Sequence, residues 1–319
     1  MRIIFAGSPA FAVPSLEKLL SSKHQVAAVV TQPARPSGRG LVLADPPVKQ
    51  FASERGLEVF QPERFNAPDF LDTLAGIAPD LVVTAAYGRI FRRRALGLPK
   101  WGCINLHASL LPKYRGVAPV NWAVINGESS TGVTTFVMDE GVDTGDIILS
   151  RSTDIGSDET AGELLERLAV MGADLLLETC DLVDSGCAPR AKQEQVNASY
   201  APKLAKQDGK VAWERDAGSV HNLVRGVSPW PGAFCMFQGS PLKILATRLP
   251  GRATGGSGER AVGTPSPGTV LAIDSKDGLL VSCGSGSIWL VRVQAQGKRQ
   301  TGGADFARGR RMKVGDQFG

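Results

Sequence analysis

The stretch RIIFAGSP at residues 2–9 decides the fold. Residues 2–6 are a short apolar run, Gly7-Ser8-Pro9 ends it, and Leu16, Leu19 and Leu20 follow at helical spacing. That reads as a buried strand, a tight turn and a helix. Working outward, QVAAVVT (25–31), LVVT (81–84) and GCINL (102–106) have the same buried-strand texture. Strands that alternate with helices imply an α/β architecture, a mostly parallel sheet covered on both faces. TGVTTFVM (131–138) and DIILS (146–150) read as two further strands joined by a short turn. A long Leu-rich amphipathic helix is expected from about residue 159 to 183.

The texture changes after Ser185-Gly186. Residues 188–210 hold four lysines and few large apolar groups. The division expected is a catalytic domain over 1–188, a linker over 189–208 and a small domain over 209–319. In the last, a helix near 217–227 precedes apolar runs at 242–249, 269–273, 278–281 and 287–293, separated by turn residues as in a small antiparallel barrel. The Gly-, Pro- and Ser-rich stretch 251–268 reads as a loop.

Composition narrows the function. With 43% apolar and 21% charged residues the 319-residue chain is an ordinary globular protein, which excludes wholesale disorder. No run of about 18 apolar residues occurs, and the early Gly7 and Pro9 break any secretory signal, so the expected location is cytoplasmic, away from membranes. Five cysteines (103, 180, 187, 235 and 283) without a C-x-x-C pair argue against a disulfide framework or a Cys-rich zinc site. The net charge of +5 is unevenly spread: residues 1–188 hold 17 Lys and Arg against 22 Asp and Glu, and residues 189–319 hold 19 against 9. A basic final third on an acidic body suggests a phosphate-bearing partner, although charge alone does not separate nucleic acid from anionic membrane. The lack of a heptad seam is consistent with a monomer.

In a doubly wound sheet, ligands sit beyond the carboxyl ends of the strands. CINLHASLLP (103–112) puts Asn105 and His107 two apart at such an end, with side chains on one side of the strand. Of three histidines, only His107 lies where this fold builds a site. Its orienting carboxylate is sought in MDEGVDTGD (138–146), where Asp139, Glu140, Asp143 and Asp146 crowd one turn. Asp143 is the natural choice if its neighbour Val142 enters the core, but spacing does not choose among the four. Asn, His and Asp supply an oxyanion donor, a proton acceptor and an orienting carboxylate, a set suited to acyl-type transfer. Ser109 lacks a G-x-S-x-G elbow. The opening FAGSPAF has one Gly where a dinucleotide fingerprint needs three, which disfavours NAD, and the scattered histidines disfavour a metal.

These residues carry a resemblance. FAGSPAF (5–11), TQPARPSGRG (31–40), NLHASLLPKYRG (105–116), MDEGVDTGD (138–146), YAPKLAK (200–206), SPWPGA (228–233) and RGRRMKVGDQF (308–318) together resemble the methionyl-tRNA formyltransferase family, among the folate-dependent formyltransferases. The resemblance spans essentially the whole chain. It implies a Rossmann-like domain without a dinucleotide and an OB-like basic barrel for tRNA. It implies formyl transfer from 10-formyltetrahydrofolate to methionine on initiator tRNA, with Asn105, His107 and Asp143 catalytic. Folate contacts would fall on Ser109, Leu110, Leu111 and Pro112, and Arg39 would reach towards the tRNA acceptor end. The family's loop lysines after G-R-G are replaced here by Leu41-Val42-Leu43. Lys203, Lys206 and Lys210, with Arg308, Arg310, Arg311 and Lys313, could supply tRNA contacts instead. Sister enzymes acting on a sugar nucleotide, on glycinamide ribonucleotide or on water would share the Asn/His/Asp set. A non-catalytic RNA binder would not need it.

Overall fold

Seven strands form one sheet in the computed structural model, which describes residues 1–37, 42–251 and 265–319. They are β1 (Arg2–Gly7), β2 (Gln25–Val30), β3 (Val59–Phe60), β4 (Leu81–Ala85), β5 (Cys103–His107), β6 (Ser130–Val137) and β7 (Ile147–Asp154). Their order is 7-6-5-4-1-2-3. From β3 to β5 neighbours run parallel; β6 and β7 each run antiparallel to the strand before them in space. The chain winds outward from β1 through β2 to β3, then returns to the other side of β1 with β4. That reversal creates a crevice beyond the carboxyl ends of β1 and β4, the binding position of doubly wound sheets.

Burial follows from the apolar runs. Ile3, Ile4 and Phe5 on the central strand are fully buried, each worth about 1.5–3 kcal/mol relative to exposure. Helices α1 (Val13–Leu20), α2 (Pro47–Glu54) and α3 (Pro68–Gly76) each carry Pro in the first turn, where its fixed φ suits the helix and its missing N–H costs nothing. The long helix expected over 159–183 is α4 (Ala161–Asp184). A Cβ on Gly172 would stand 2.8 Å from Leu106 Cδ2, so the bare backbone there lets α4 lie against the back of β5.

The chain divides into two compact units: Met1–Pro119, Ser130–Asp154 and Leu164–Pro202 in the first, Val120–Ser129, Ile155–Glu163 and Lys203–Gly319 in the second. Residues 189–202, read from composition as part of a linker, are stitched into the first unit. Ile147 and Ala191 exchange backbone hydrogen bonds at 2.8 and 2.9 Å, and Tyr200–Ala201 pairs parallel with Arg115–Gly116.

In the second unit β8 (Ala233–Phe237), β9 (Ser240–Arg248), β10 (Val270–Asp274), β11 (Gly278–Ser282) and β12 (Ser287–Ala295) form an antiparallel sheet in the order 8-9-12-11-10. The short β13 (Thr301–Gly302) adds to β12. The two edges are joined by the last residues of the chain. Gly319 exchanges hydrogen bonds with Met236 on β8, while Asp316 O accepts from Val270 N and Phe318 N donates to Gly268 O beside β10. The sheet is thereby closed into a barrel around Trp213, Phe237, Phe306 and Phe318. Helices α5 (Ala217–Gly226) and α6 (Gly303–Arg310) complete the unit, and Asp216 caps α5 by accepting from Ser219 N at 2.9 Å. Residues 252–264 of the expected loop lie outside the described residues. No described helix is long and apolar enough to cross a membrane.

Candidate active site

β5 delivers Asn105 and His107 to its carboxyl end, in register with Thr84 on β4 and Thr134 on β6. Asn105 Oδ1 accepts from the Thr84 hydroxyl at 2.6 Å. An amide held by its oxygen keeps Nδ2 as its donor end, which is what an oxyanion requires.

His107 is buried and anchored through Nε2, 2.9 Å from the carbonyl oxygen of Tyr114. A carbonyl only accepts, so Nε2 carries the proton and the neutral ring offers Nδ1 as acceptor. Tyr114 adopts a left-handed backbone (φ 59°), which turns its carbonyl to the ring, and its N–H donates to Ser199 Oγ. The tautomer is therefore set by Tyr114, not by the carboxylate to which sequence reasoning would give that task.

Asp143 Oδ2 lies 3.7 Å from His107 Nδ1 and accepts from Gly116 N at 2.8 Å. It is half-buried, with a left-handed backbone of φ 55°. The expectation that Val142 enters the core is wrong, since Val142 is 52% exposed; the left-handed turn, not an anchoring neighbour, aims the carboxylate. Of the other acids in this turn, Asp139 accepts from Gly141 N and Thr144 Oγ1 and is committed to turn closure. Gly116 has φ 113°, and a Cβ on it would meet Ala201 O at 2.8 Å. No side chain fits at position 116, where the chain meets Ala201.

The turn after β5 is buried structure. Ser109 Oγ donates to Lys113 O at 2.7 Å, so its hydroxyl is not a waiting nucleophile. Thr134 Oγ1 lies 2.7 Å from Ser109 O and 3.2 Å from Leu111 N. Leu111 is buried, while Leu110 and Pro112 are half-buried. Arg39 lies outside the described residues. Lys203 and Lys206 are exposed on the second unit, as are Arg308, Arg310, Arg311 and Lys313. Sequence reasoning missed Gln193, a buried side chain whose Nε2 donates to Asp143 O at 2.9 Å and Gly145 O at 2.8 Å. It also missed Arg115, which holds Gln193.

Among the described residues no group of three or more His, Cys, Asp or Glu side chains is placed to hold a metal ion. Burial pushes the thiols of Cys103, Cys180 and Cys235 up to about 12 and that of Cys283 to about 11, so these four stay protonated and unreactive.

An imidazole acceptor beside a carboxylate, with an oriented amide donor on the same strand, can relieve an attacking amine of its proton and stabilise charge on a carbonyl oxygen. Residues 1–180 match the family model for formyl transferase, and residues 203–311 the one for formyl transferase, C-terminal domain. The methionyl-tRNA formyltransferase of Geotalea uraniireducens is 46% identical over 319 residues, covering 100% of this chain and 98% of its own length. That of Acetivibrio thermocellus is 44% identical over the whole of both chains. The fold is also that of a solved N-formyltransferase from Helicobacter canadensis, with TM-score 0.66 and 20% identity, covering 92% of this chain and 99% of the other. The chain belongs to the formyl transferase family and, within it, groups with the methionyl-tRNA formyltransferases. It is a formyl-transferring enzyme.

Proposed function

We propose that this enzyme transfers the formyl group of 10-formyltetrahydrofolate to the α-amino group of methionine carried by initiator tRNA, acting as a cytoplasmic monomer. The observation that carries the reading is full-length identity of 44–46% to methionyl-tRNA formyltransferases, together with a His107–Asp143 pair at the carboxyl end of β5. The Helicobacter canadensis protein was solved with folinic acid, a formylated folate, which supports a folate donor on this fold.

Asn105 Nδ2 donates to the formyl oxygen as charge develops there; removing one such donor typically costs about 2.7–4 kcal/mol of transition-state stabilisation. His107 Nδ1 takes the proton that the amine loses on attacking the formyl carbon, Asp143 steadies the resulting imidazolium, and that proton is returned to N10 of the donor as the formyl C–N10 bond breaks and tetrahydrofolate leaves. With Nε2 committed to Tyr114, His107 serves as proton acceptor rather than as a second oxyanion donor. The first unit performs this chemistry, and the exposed basic residues of the second meet tRNA phosphates.

The test is formyl transfer from 10-formyltetrahydrofolate to Met-charged initiator tRNA, with Met-charged elongator tRNA and free methionine as controls. Product on initiator alone supports the reading. Product on none, with folate still bound or hydrolysed, moves the acceptor to a small amine or to water.

A further inference from the structure

Arg115 is the largest fully buried side chain among the described residues. A guanidinium does not shed its proton, so a permanent charge stands in the interior, where it is costly unless matched. Its partners are neutral. Nε and Nη2 donate to Gln193 Oε1 at 3.1 and 2.7 Å, and Nη1 donates to Gln195 Oε1 at 2.9 Å. No ion pair among the described residues includes it.

With its oxygen gripped from one side, the Gln193 carboxamide cannot flip, and both its protons point to the carbonyls of Asp143 and Gly145. Those two carbonyls bracket the left-handed turn that aims the Asp143 carboxylate at His107. Gly116, next in sequence to Arg115, holds the carboxylate itself. One short segment thus fixes Asp143 twice, at its backbone through Gln193 and at its side chain through Gly116 N. Apolar side chains of similar volume often stabilise an interior as well as buried charge does, so folding stability alone does not account for the arrangement.

We propose that Arg115 and Gln193 are positioning residues for the transfer reaction, holding the Asp143 turn so that its carboxylate faces His107 Nδ1. This rests on the reading of Asp143 as the carboxylate that assists proton removal.

The test compares Gln193→Glu, Asp143→Asn and the double variant in the full-length enzyme. Gln193→Glu keeps the volume and gives Arg115 a charged partner, but removes both protons that tie the turn. Because a displacement of about 1 Å can cost about 100-fold in rate, kcat of Gln193→Glu is expected to fall by about that factor. KM for Met-tRNA and Kd for 10-formyltetrahydrofolate should stay within about two-fold, since only the reacting geometry is disturbed. Added to Asp143→Asn, Gln193→Glu should cost little more, because it acts through that residue. Unchanged kcat, or a full second loss in the double variant, overturns the proposal while leaving Asp143 in its role. If Asp143→Asn alone keeps parental turnover, the reading of Asp143 fails and the positioning role falls with it. Should Gln193→Glu not fold, Arg115→Lys keeps the charge but loses the two-pronged grip and is expected to show the same kcat-selective loss.

Discussion

The carbonyl oxygen of Tyr114 accepts the Nε2 proton of His107 at 2.9 Å, and this turns Nδ1 towards Asp143 Oδ2, 3.7 Å away. The separation is too long for a hydrogen bond, so in the neutral state two acceptors face each other. A proton arriving on Nδ1 converts that opposition into an ion pair.

Asp143→Asn should therefore leave a proton passed to His107 Nδ1 during transfer without its facing carboxylate, while the folate contacts stay in place. Positioned acid–base groups contribute about 10²–10⁴-fold, and a loss of turnover in that range is expected with little change in folate affinity. Single-turnover formylation and equilibrium folate binding check the two halves. A matching loss of folate binding would remove Asp143 from the chemistry.

Thr84 fixes which end of the Asn105 amide is free. Asn105→Ala should lower kcat by about 10²–10³, as for other oxyanion donors. Thr84→Val keeps the shape but frees the amide to turn, and part of that loss, about 10-fold, is expected without a change at residue 105. Parental rates in Thr84→Val would mean that Asn105 is oriented by something else.

The basic surface of the second unit predicts tRNA affinity that falls steeply with salt. Replacing Lys203 or Lys206 with Ala should lower the slope of log K against log salt by about 1 for each phosphate that the lysine neutralises. Filter binding across a salt series measures this, and an unchanged slope would place those lysines away from the RNA.

Asp216 caps α5, accepting from Ser219 N at 2.9 Å and Ser219 Oγ at 2.6 Å. Asp216→Ala should cost about 0.5–2 kcal/mol in urea unfolding. The Ser219 hydroxyl, then backbone N–H groups, hold the Asp216 carboxyl below the usual carboxylate range. A carboxyl depressed in the folded state contributes fully above its unfolded value and loses that contribution as pH falls through its folded value. The gap between parent and variant should accordingly narrow under acid.

The sequence was most readable where burial is uniform. RIIFA, QVAAVV and LVVT are apolar on both faces because helices cover both faces, and each became a strand with ends shifted by a residue or so. Val59–Phe60 is too short to show any period, and Ala233–Phe237 follows a Pro-rich turn that hid it. Helices α2 and α3 did carry a usable signal, proline in the first turn. Asn105 and His107 stood out because a strand end in this fold is a site by construction. Arg115 and Gln193 did not: they lie 78 residues apart, and a glutamine in a polar stretch looks solvated until the chain is folded.

The order of synthesis meets these contacts unevenly. Strands β1 to β5 leave the ribosome early, yet the turn carrying Asp143 stays untied until Gln193 and the 200–201 strand have emerged. The nascent catalytic unit is thus incomplete until some eighty residues after Arg115. The barrel waits longer still. Met236 on β8 and Val270 on β10 lack their closing backbone bonds until residues 315–319 are made, and bare sheet edges are templates for wrong partners. The second unit is thus the later of the two to complete its sheet edges.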